Sequence, residues 1–520
     1  MKNTLLCIGL ILSGFSIHAQ SAKGYVFNDT NGNGKKDTSE KGIENVCVCN
    51  GVLVTKTDKN GLYQLPVGKD NIIFVIKPGG YKVKSDENNL PKYYYIHKPE
   101  GSPALKYKGV APTGPLPASI DFALESQPEE DNFTALIFGD PQPYTETEVQ
   151  HFAKGVVSEV EGIRQIAFGL SLGDLVGDNL DLHLPYIQSV KKIGLPWYNL
   201  MGNHDMDYDA KSDSLSDDTY EAHFGPANYA FNYGKAHFII LDDIVYPDPR
   251  DQKGYWGGFR KDQLDFVEND LKHVSKDQLV ILAYHIPLET EGESYRLEDR
   301  KRLFDILKDF PNVFTISAHT HLQRQNFFTA EHGWAGAKPL HEYNAGTTSG
   351  DWYSGELNEM GVPVSTMRDG TPKGYAFLKI KGNQYSIDYK VVGKPADYQM
   401  EIFAPKVIPS QRGTSAGIFA NFFMGHKSNV VEYRIDETPW KPMAFVEDED
   451  PTYLNSLFKW DTSDKLLSGR RPSNAVKSTH LWRGSFVPNL TEGEHFIEVK
   501  ATDMFGKTTV QKKAFLVEKQ

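Results

Sequence analysis

Phe138-Gly139-Asp140-Pro141-Gln142 is a polar cluster that closes an apolar run over residues 134–138, and the rest of the chain repeats this arrangement. Gly173-Asp174 follows the run 165–172, and Gly202-Asn203-His204-Asp205 follows 197–201. Tyr284-His285 follows 279–283, and Ala318-His319-Thr320-His321 follows 313–317. A further apolar run covers 237–241. Between the runs lie amphipathic stretches of helix length, at 146–161, 184–193, 262–273 and 297–309. Strand-length apolar runs that alternate with helices predict a layered α/β core with strands buried on both faces. Ligands of such sheets bind beyond the carboxyl ends of the strands, where all five clusters fall.

Working outward from that core, the chain has 520 residues, enough for two to four domains. A formal net charge of −12 argues against a nucleic-acid partner, since a phosphate backbone requires a basic face. It leaves a small phosphoester open as substrate, because bound cations outweigh the global charge locally. Residues 1–19 carry one basic residue, a short apolar stretch and a small residue, Ala19. They read as a secretory signal peptide, which predicts a periplasmic, secreted or cell-surface location. No later stretch has transmembrane length. Cys47 and Cys49 alternate on one strand, and a bridge between positions i and i+2 is strained, so two thiols are expected.

Residues 21–125 read as a small β-sandwich, followed by a polar linker over 126–132. Asp29, Asn31, Asn33, Asp37 and Glu40, with the carbonyl of Lys35, match the oxygen-ligand spacing of a calcium loop. Strand-like segments flank this loop where an EF-hand has helices, so a structural calcium is expected. The segment resembles calcium-stabilised adhesin repeats, and the turn at 57–66 resembles prealbumin-like hairpins. After the core, which spans 133–385, alternation returns, and residues 395–520 read as an immunoglobulin-like β-sandwich.

The clusters supply Asp, Asn and His side chains, the ligand types for two adjacent divalent cations that activate a water. In this order they resemble the signature of the calcineurin-like metallophosphoesterases. The resemblance implies a four-layer αββα sandwich, flanked here by two small all-β domains. It implies one metal held by Asp140, Gln142 and His321, and a second held by Asn203, His285 and His319. Asp174 would bridge the two, and His204 would act on the substrate as the catalytic acid or charge stabiliser. A metal-bound hydroxide would attack phosphorus in line, in a phosphomonoester or phosphodiester. Two departures stand out: Gln142 where His is usual, and Ala318 where Gly is usual. An amide oxygen is a harder, weaker ligand than imidazole, which tilts the choice among Mn, Fe and Zn away from zinc. Besides Asn203 and His204, the residues His341, Asn344 and Arg368 are candidates for substrate contact; Arg368 suits a phosphate oxygen. Asp178, Asn179 and Asp205 are candidates for orienting ligands. The competing readings are a pyrophosphate-bond hydrolase and a non-catalytic, glycan-binding surface protein that keeps the central domain as a scaffold.

Overall fold

The computed structural model describes residues 20–289, 294–410 and 414–519. The expected signal peptide lies outside the described residues. Among the described residues, eleven strands build the two large central sheets. They are β1 (Asn132–Phe138), β2 (Phe168–Leu172), β3 (Trp197–Leu200), β4 (Tyr229–Tyr233), β5 (Ala236–Ile240), β6 (Leu279–Ala283), β7 (Val313–Ser317), β8 (Arg324–Phe328), β9 (Leu340–Asn344), β10 (Gly374–Lys381) and β11 (Gln384–Val391). They form a five-stranded sheet ordered β3-β2-β1-β10-β11 and a six-stranded sheet ordered β4-β5-β6-β7-β9-β8. Pairing is parallel from β1 to β3 and from β5 through β6 and β7 to β9. Parallel strands need crossovers, and the amphipathic helices supply them.

The two sheets face each other across an aromatic layer. Tyr198 of β3 stacks on Phe231 of β4 with ring centroids 4.1 Å apart, and Phe168 of β2 meets Phe238 of β5 edge-on at 5.3 Å. Helices cover the outer faces. On the first sheet α1 (Glu146–Phe152) and α2 (His183–Val190) pack through Phe152, which meets Phe138 and Tyr186. The other helices are α3 (Asp218–Phe224), α4 (Lys261–Leu271) and α5 (Leu297–Leu307). On the second sheet Phe304 of α5 meets Phe328 of β8. This is the four-layer αββα sandwich that the resemblance implies, with strand-rich domains at both ends.

The N-terminal strands form two four-stranded sheets. Phe74 from one of them packs edge-on against Phe266 of α4, which seats this part of the chain on the core. Cys47 and Cys49 are free thiols. The C-terminal strands form a four- and a five-stranded sheet and carry one helix, Pro451–Asp461, started by a proline in its first turn and capped by Asp450. Among the described residues no helix is long and apolar enough to cross a membrane.

Candidate metal centre

Every cluster sits just past the carboxyl end of its strand. Asp140 and Gln142 follow β1, Asp174 follows β2, Asn203 follows β3, His285 follows β6, and His319 and His321 follow β7. Two glycines make the approach of these loops possible. A Cβ on Gly202 would lie 2.1 Å from the amide nitrogen of Asp174 and 2.3 Å from its Oδ1. A Cβ on Gly173, whose φ is +85°, would lie 2.6 Å from Nδ1 of His285. Five of the seven expected ligands, Asp140, Gln142, Asp174, His319 and His321, have positive φ. This conformation costs a non-glycine residue on the order of 1–3 kcal/mol and clusters where function requires it.

The side chains converge. Oδ2 of Asp174 lies 3.2 Å from Nε2 of His285, which in turn lies 3.2 Å from Nδ1 of His319. One ligand atom from each of these three residues falls within 4.8 Å of the others. Oδ2 of Asp140 lies 3.2 Å from Nε2 of His321. Gln142 donates its amide to Asp174 at 3.1 Å. His204 donates its backbone N–H to Oδ1 of Asp174 at 2.8 Å, and its Nδ1 lies 2.7 Å from Asp178.

Electrostatics follow from this packing. Burial alone would raise the Asp174 carboxyl, but the imidazoles of His285 and His204 hold it well below the usual carboxylate range. Burial opposes protonation of His285, yet Asp174 overcomes it and carries His285 up to about 10. Asp174 and Asp178 likewise raise His204 to about 9 against burial. His319 falls to about 4, through burial and then the neighbouring His285.

Neighbouring groups fix the ligands. His285 directs Nδ1 to the carbonyl of Leu172 at 2.8 Å, and His321 directs Nδ1 to the carbonyl of Gly350 at 2.7 Å. Each ring then presents Nε2 to the centre, the usual arrangement for a ligating histidine. His321 also stacks on Trp352 with centroids 4.0 Å apart. Asp205 accepts the amides of Leu175, Val176 and Gly202 and so ties two of the loops together, as expected of an orienting residue.

Sequence reasoning missed three supports. Asp243, fully buried and pushed up to about 7 by burial, accepts the amides of His285 at 3.0 Å and Ile286 at 3.1 Å. Glu342 accepts the Tyr284 hydroxyl at 2.7 Å and the Leu288 amide at 2.8 Å. Ser349 holds the carbonyl of Asp140 through its hydroxyl at 2.7 Å. Asp243 had one available signal: an acidic pair, Asp242-Asp243, closes the apolar run 237–241 as the other clusters close theirs.

Two expected substrate contacts are corrected. His341 is buried, its ring nitrogens 2.7 Å from Gln325 and from the Tyr385 hydroxyl, and it does not line the cleft. Strand alternation turns it away from the side that carries Glu342 and Asn344. Asn344 is fully buried, donates its amide to the carbonyl of Ala318 and accepts the Thr320 hydroxyl, so it shapes the His319–His321 turn and does not line the cleft. Arg368 does line the cleft: its guanidinium donates to the carbonyl of Thr320 at 3.2 Å and lies over Trp352.

The side chains of the expected calcium loop converge and bond within the loop. Asp29 accepts the amides of Gly32, Asn33 and Gly34, and Glu40 accepts those of Thr30 and Asp37. Asn31 and Asn33 donate to Asp37, and the Lys35 amide donates to Asn33.

A cleft of about 980 Å³ opens over Gln142, Asp174, His204, His319 and His321. Tyr255, Trp256 and Trp352 form its aromatic walls, Arg324 and Arg368 bring positive charge, and Val476 and Lys477 come from the C-terminal region.

The model of calcineurin-like phosphoesterases matches residues 133–323. Models described as the N terminal and the C terminal of calcineurin-like phosphoesterase match residues 30–108 and 342–508. The chain belongs to the calcineurin-like phosphoesterases. It is thus a metal-dependent phosphoesterase, of a family that implies a dinuclear centre. No curated protein matches it. Among solved structures it is similar to purple acid phosphatase PPD1 from yellow lupin seeds, at 14% identity over 67% of each chain and a TM-score of 0.36. It is also similar to the Clostridium perfringens spore cortex lytic enzyme SleM, at 12% identity over 75% of this chain and 100% of that one, with a TM-score of 0.19.

The donor set fits a dinuclear centre. Asp140 Oδ2, Gln142 Oε1, Asn203 Oδ1 and His321 Nε2 are all buried and take part in no hydrogen bond. Buried polar atoms in proteins are generally paired, so four orphans converging in one place call for cations.

Proposed function

We propose that the chain is an exported hydrolase of phosphoesters that carry a bulky organic group, with diesters preferred over monoesters. The observation that carries this reading is the set of four orphaned ligand atoms beneath a cleft far larger than a phosphate group. Asp140, Gln142 and His321 would hold one cation, Asn203, His285 and His319 the other, and Asp174 both. When bound, the two cations supply Lewis acidity and lower the pKa of a water at the site.

The chain's own residues do the rest. His204, held through Nδ1 by Asp178, lines the cleft and can hand a proton from Nε2 to the departing alcohol oxygen. Arg368, anchored on the carbonyl between the two metal-site histidines, is placed to hold a non-bridging phosphate oxygen. Tyr255, Trp256 and Trp352 line the cleft with aromatic surface that suits organic substituents. Export rests on the pattern of residues 1–19, and calcium in the loop 29–40 on its ligand spacing. A division into segments 21–125, 133–385 and 395–520 belongs to the same proposal.

The test compares bis-aryl and mono-aryl phosphate hydrolysis with added manganese, for the wild type and Asp174→Ala. The expected result is faster diester cleavage by the wild type, with both metals and turnover lost in the variant. Undiminished hydrolysis by Asp174→Ala would sink the mechanism, and a faster monoester rate would sink the diester preference.

A further inference from the structure

A second cluster of carboxylates lies apart from the dinuclear centre, where the N-terminal strands meet the core. Asp217 occupies the N-cap position of α3, but its carboxylate caps nothing. Asp207 reaches in instead and takes both the amide and the hydroxyl of Thr219, at 2.9 and 2.8 Å. Asp217 is only 6% exposed; its backbone carbonyl accepts the Glu221 amide at 2.8 Å, and among the described residues its carboxylate faces the Arg260 guanidinium without capping the helix. Asp218 is fully buried: its Oδ1 pairs with Lys98, while its Oδ2 takes part in no hydrogen bond. Glu221 follows one helical turn later. One oxygen from each of the three lies within 4.8 Å of the others.

Asp217 and Glu221 line a cavity of about 250 Å³, walled by Asn50 and Asp70 from the N-terminal strands and by Asn228 and Asp262 from the core. The surrounding charge is unbalanced. Seven carboxylates (Asp70, Asp213, Asp217, Asp218, Glu221, Asp242 and Asp262) face two cations, Lys98 and Arg260. Both cations are shared among several carboxylates, Lys98 between Asp70 and Asp218, and Arg260 among Asp213, Asp242 and Asp262 while it also attracts Asp217. Like charges at i and i+4 on a helix repel, as Asp217 and Glu221 do here. Buried charge must find a partner or take up a proton, and burial pushes Asp217 up to about 7. Clustered carboxylate oxygens are the donor set of a hard cation.

We propose that Asp217, Asp218 and Glu221 hold a divalent cation of the calcium or magnesium class, which ties the N-terminal strands to the catalytic core. The site is independent of the dinuclear centre and of the phosphoesterase chemistry.

The experiment strips the full-length protein with chelator and titrates it with Ca²⁺ and, separately, Mg²⁺, reading bound equivalents by calorimetry and the unfolding midpoint by scanning fluorimetry. It compares the wild type with Asp217→Asn/Glu221→Gln, with Asp29→Asn/Glu40→Gln in the N-terminal loop, and with Asp174→Asn at the dinuclear centre. The expected result is that Asp217→Asn/Glu221→Gln lacks one equivalent, with its upward shift of the midpoint, that the wild type, the loop variant and Asp174→Asn all keep. Without divalent cation, that variant is expected to unfold at a higher temperature than the wild type, because the repulsion is gone. The single variant Asp217→Asn is expected to weaken binding at least tenfold. Unchanged equivalents and midpoint shift in the double variant would overturn the proposal, as would their loss from the loop variant alone.

Discussion

Replacing Asp243 tests whether the centre depends on residues that never touch a metal. The Asp243 carboxylate accepts two buried backbone N–H groups, those of His285 at 3.0 Å and Ile286 at 3.1 Å, and so sets where the loop after β6 leaves the sheet. In Asp243→Ala both amides lose their acceptor. An unsatisfied buried donor costs about 1–3 kcal/mol, so about 2–6 kcal/mol of stability is at stake. Freeing the backbone of His285 also loosens its ring, and loss of such outer support typically costs about 10–100-fold in metal affinity. That equals about 1.4–2.8 kcal/mol. Asp243→Asn should differ sharply. Both amides reach Oδ1, and one amide oxygen can serve them both. The carboxyl is already pushed up to about 7, which suits an acceptor better than a charge. The assay is a manganese titration by calorimetry, with kcat/KM measured at saturating manganese. The reasoning predicts weak binding for Asp243→Ala, rescued in part by excess metal, and binding within a few-fold of wild type for Asp243→Asn. Equal damage from both variants would mean that the negative charge matters and the hydrogen bonds do not. No damage from either would mean that His285 is held by the sheet alone.

Gln142→His should tighten binding at the Asp140–His321 position and shift preference toward zinc, because imidazole is a better ligand than an amide oxygen. Competition between zinc and manganese, followed by elemental analysis, checks it, and an unchanged metal profile would show that Gln142 is not a ligand. Asp450 predicts a pH effect on stability. Burial raises its carboxyl to about 6 in the folded chain, so the folded state binds the extra proton between the unfolded value and about 6. Its contribution is therefore full below the unfolded value and is lost as pH rises through 6, by up to about 3 kcal/mol. Asp450→Asn should flatten this slope in denaturant unfolding between about pH 4 and 7, and a parallel pair of curves would contradict the assignment.

The sequence was most legible where a ligand and its strand are neighbours in the chain. β6 and β7 begin and end where the apolar runs do, because a strand buried on both faces leaves an uninterrupted apolar signature. The glycines of Gly173-Asp174 and Gly202-Asn203-His204-Asp205 are local necessities of loops that touch. Legibility ended where two distant segments meet. His321 is oriented by Gly350 and Trp352, Asp140 by Ser349, and His285 by Leu172 and Asp243. Most of these bonds use backbone groups, which every residue carries, so they leave no mark on residue type. His341 was misread for a related reason. Alternation says that His341 and Asn344 face opposite sides of β9, but only the packed sheets decide which side is the core and which groups are already satisfied there.

The sequence by itself determined the α/β core, the order of its strands along the chain and the set of metal-binding side chains, because these follow from periodicity and from chemistry that few residue types can perform. Only the tertiary structure decided how those side chains are held, which candidates reach the cleft and where the C-terminal region enters it. It also brought Asp217, Asp218 and Glu221 against the N-terminal strands. Such facts depend on long-range contacts between chemically ordinary groups, and the free energy of those contacts is assigned only when the chain has closed.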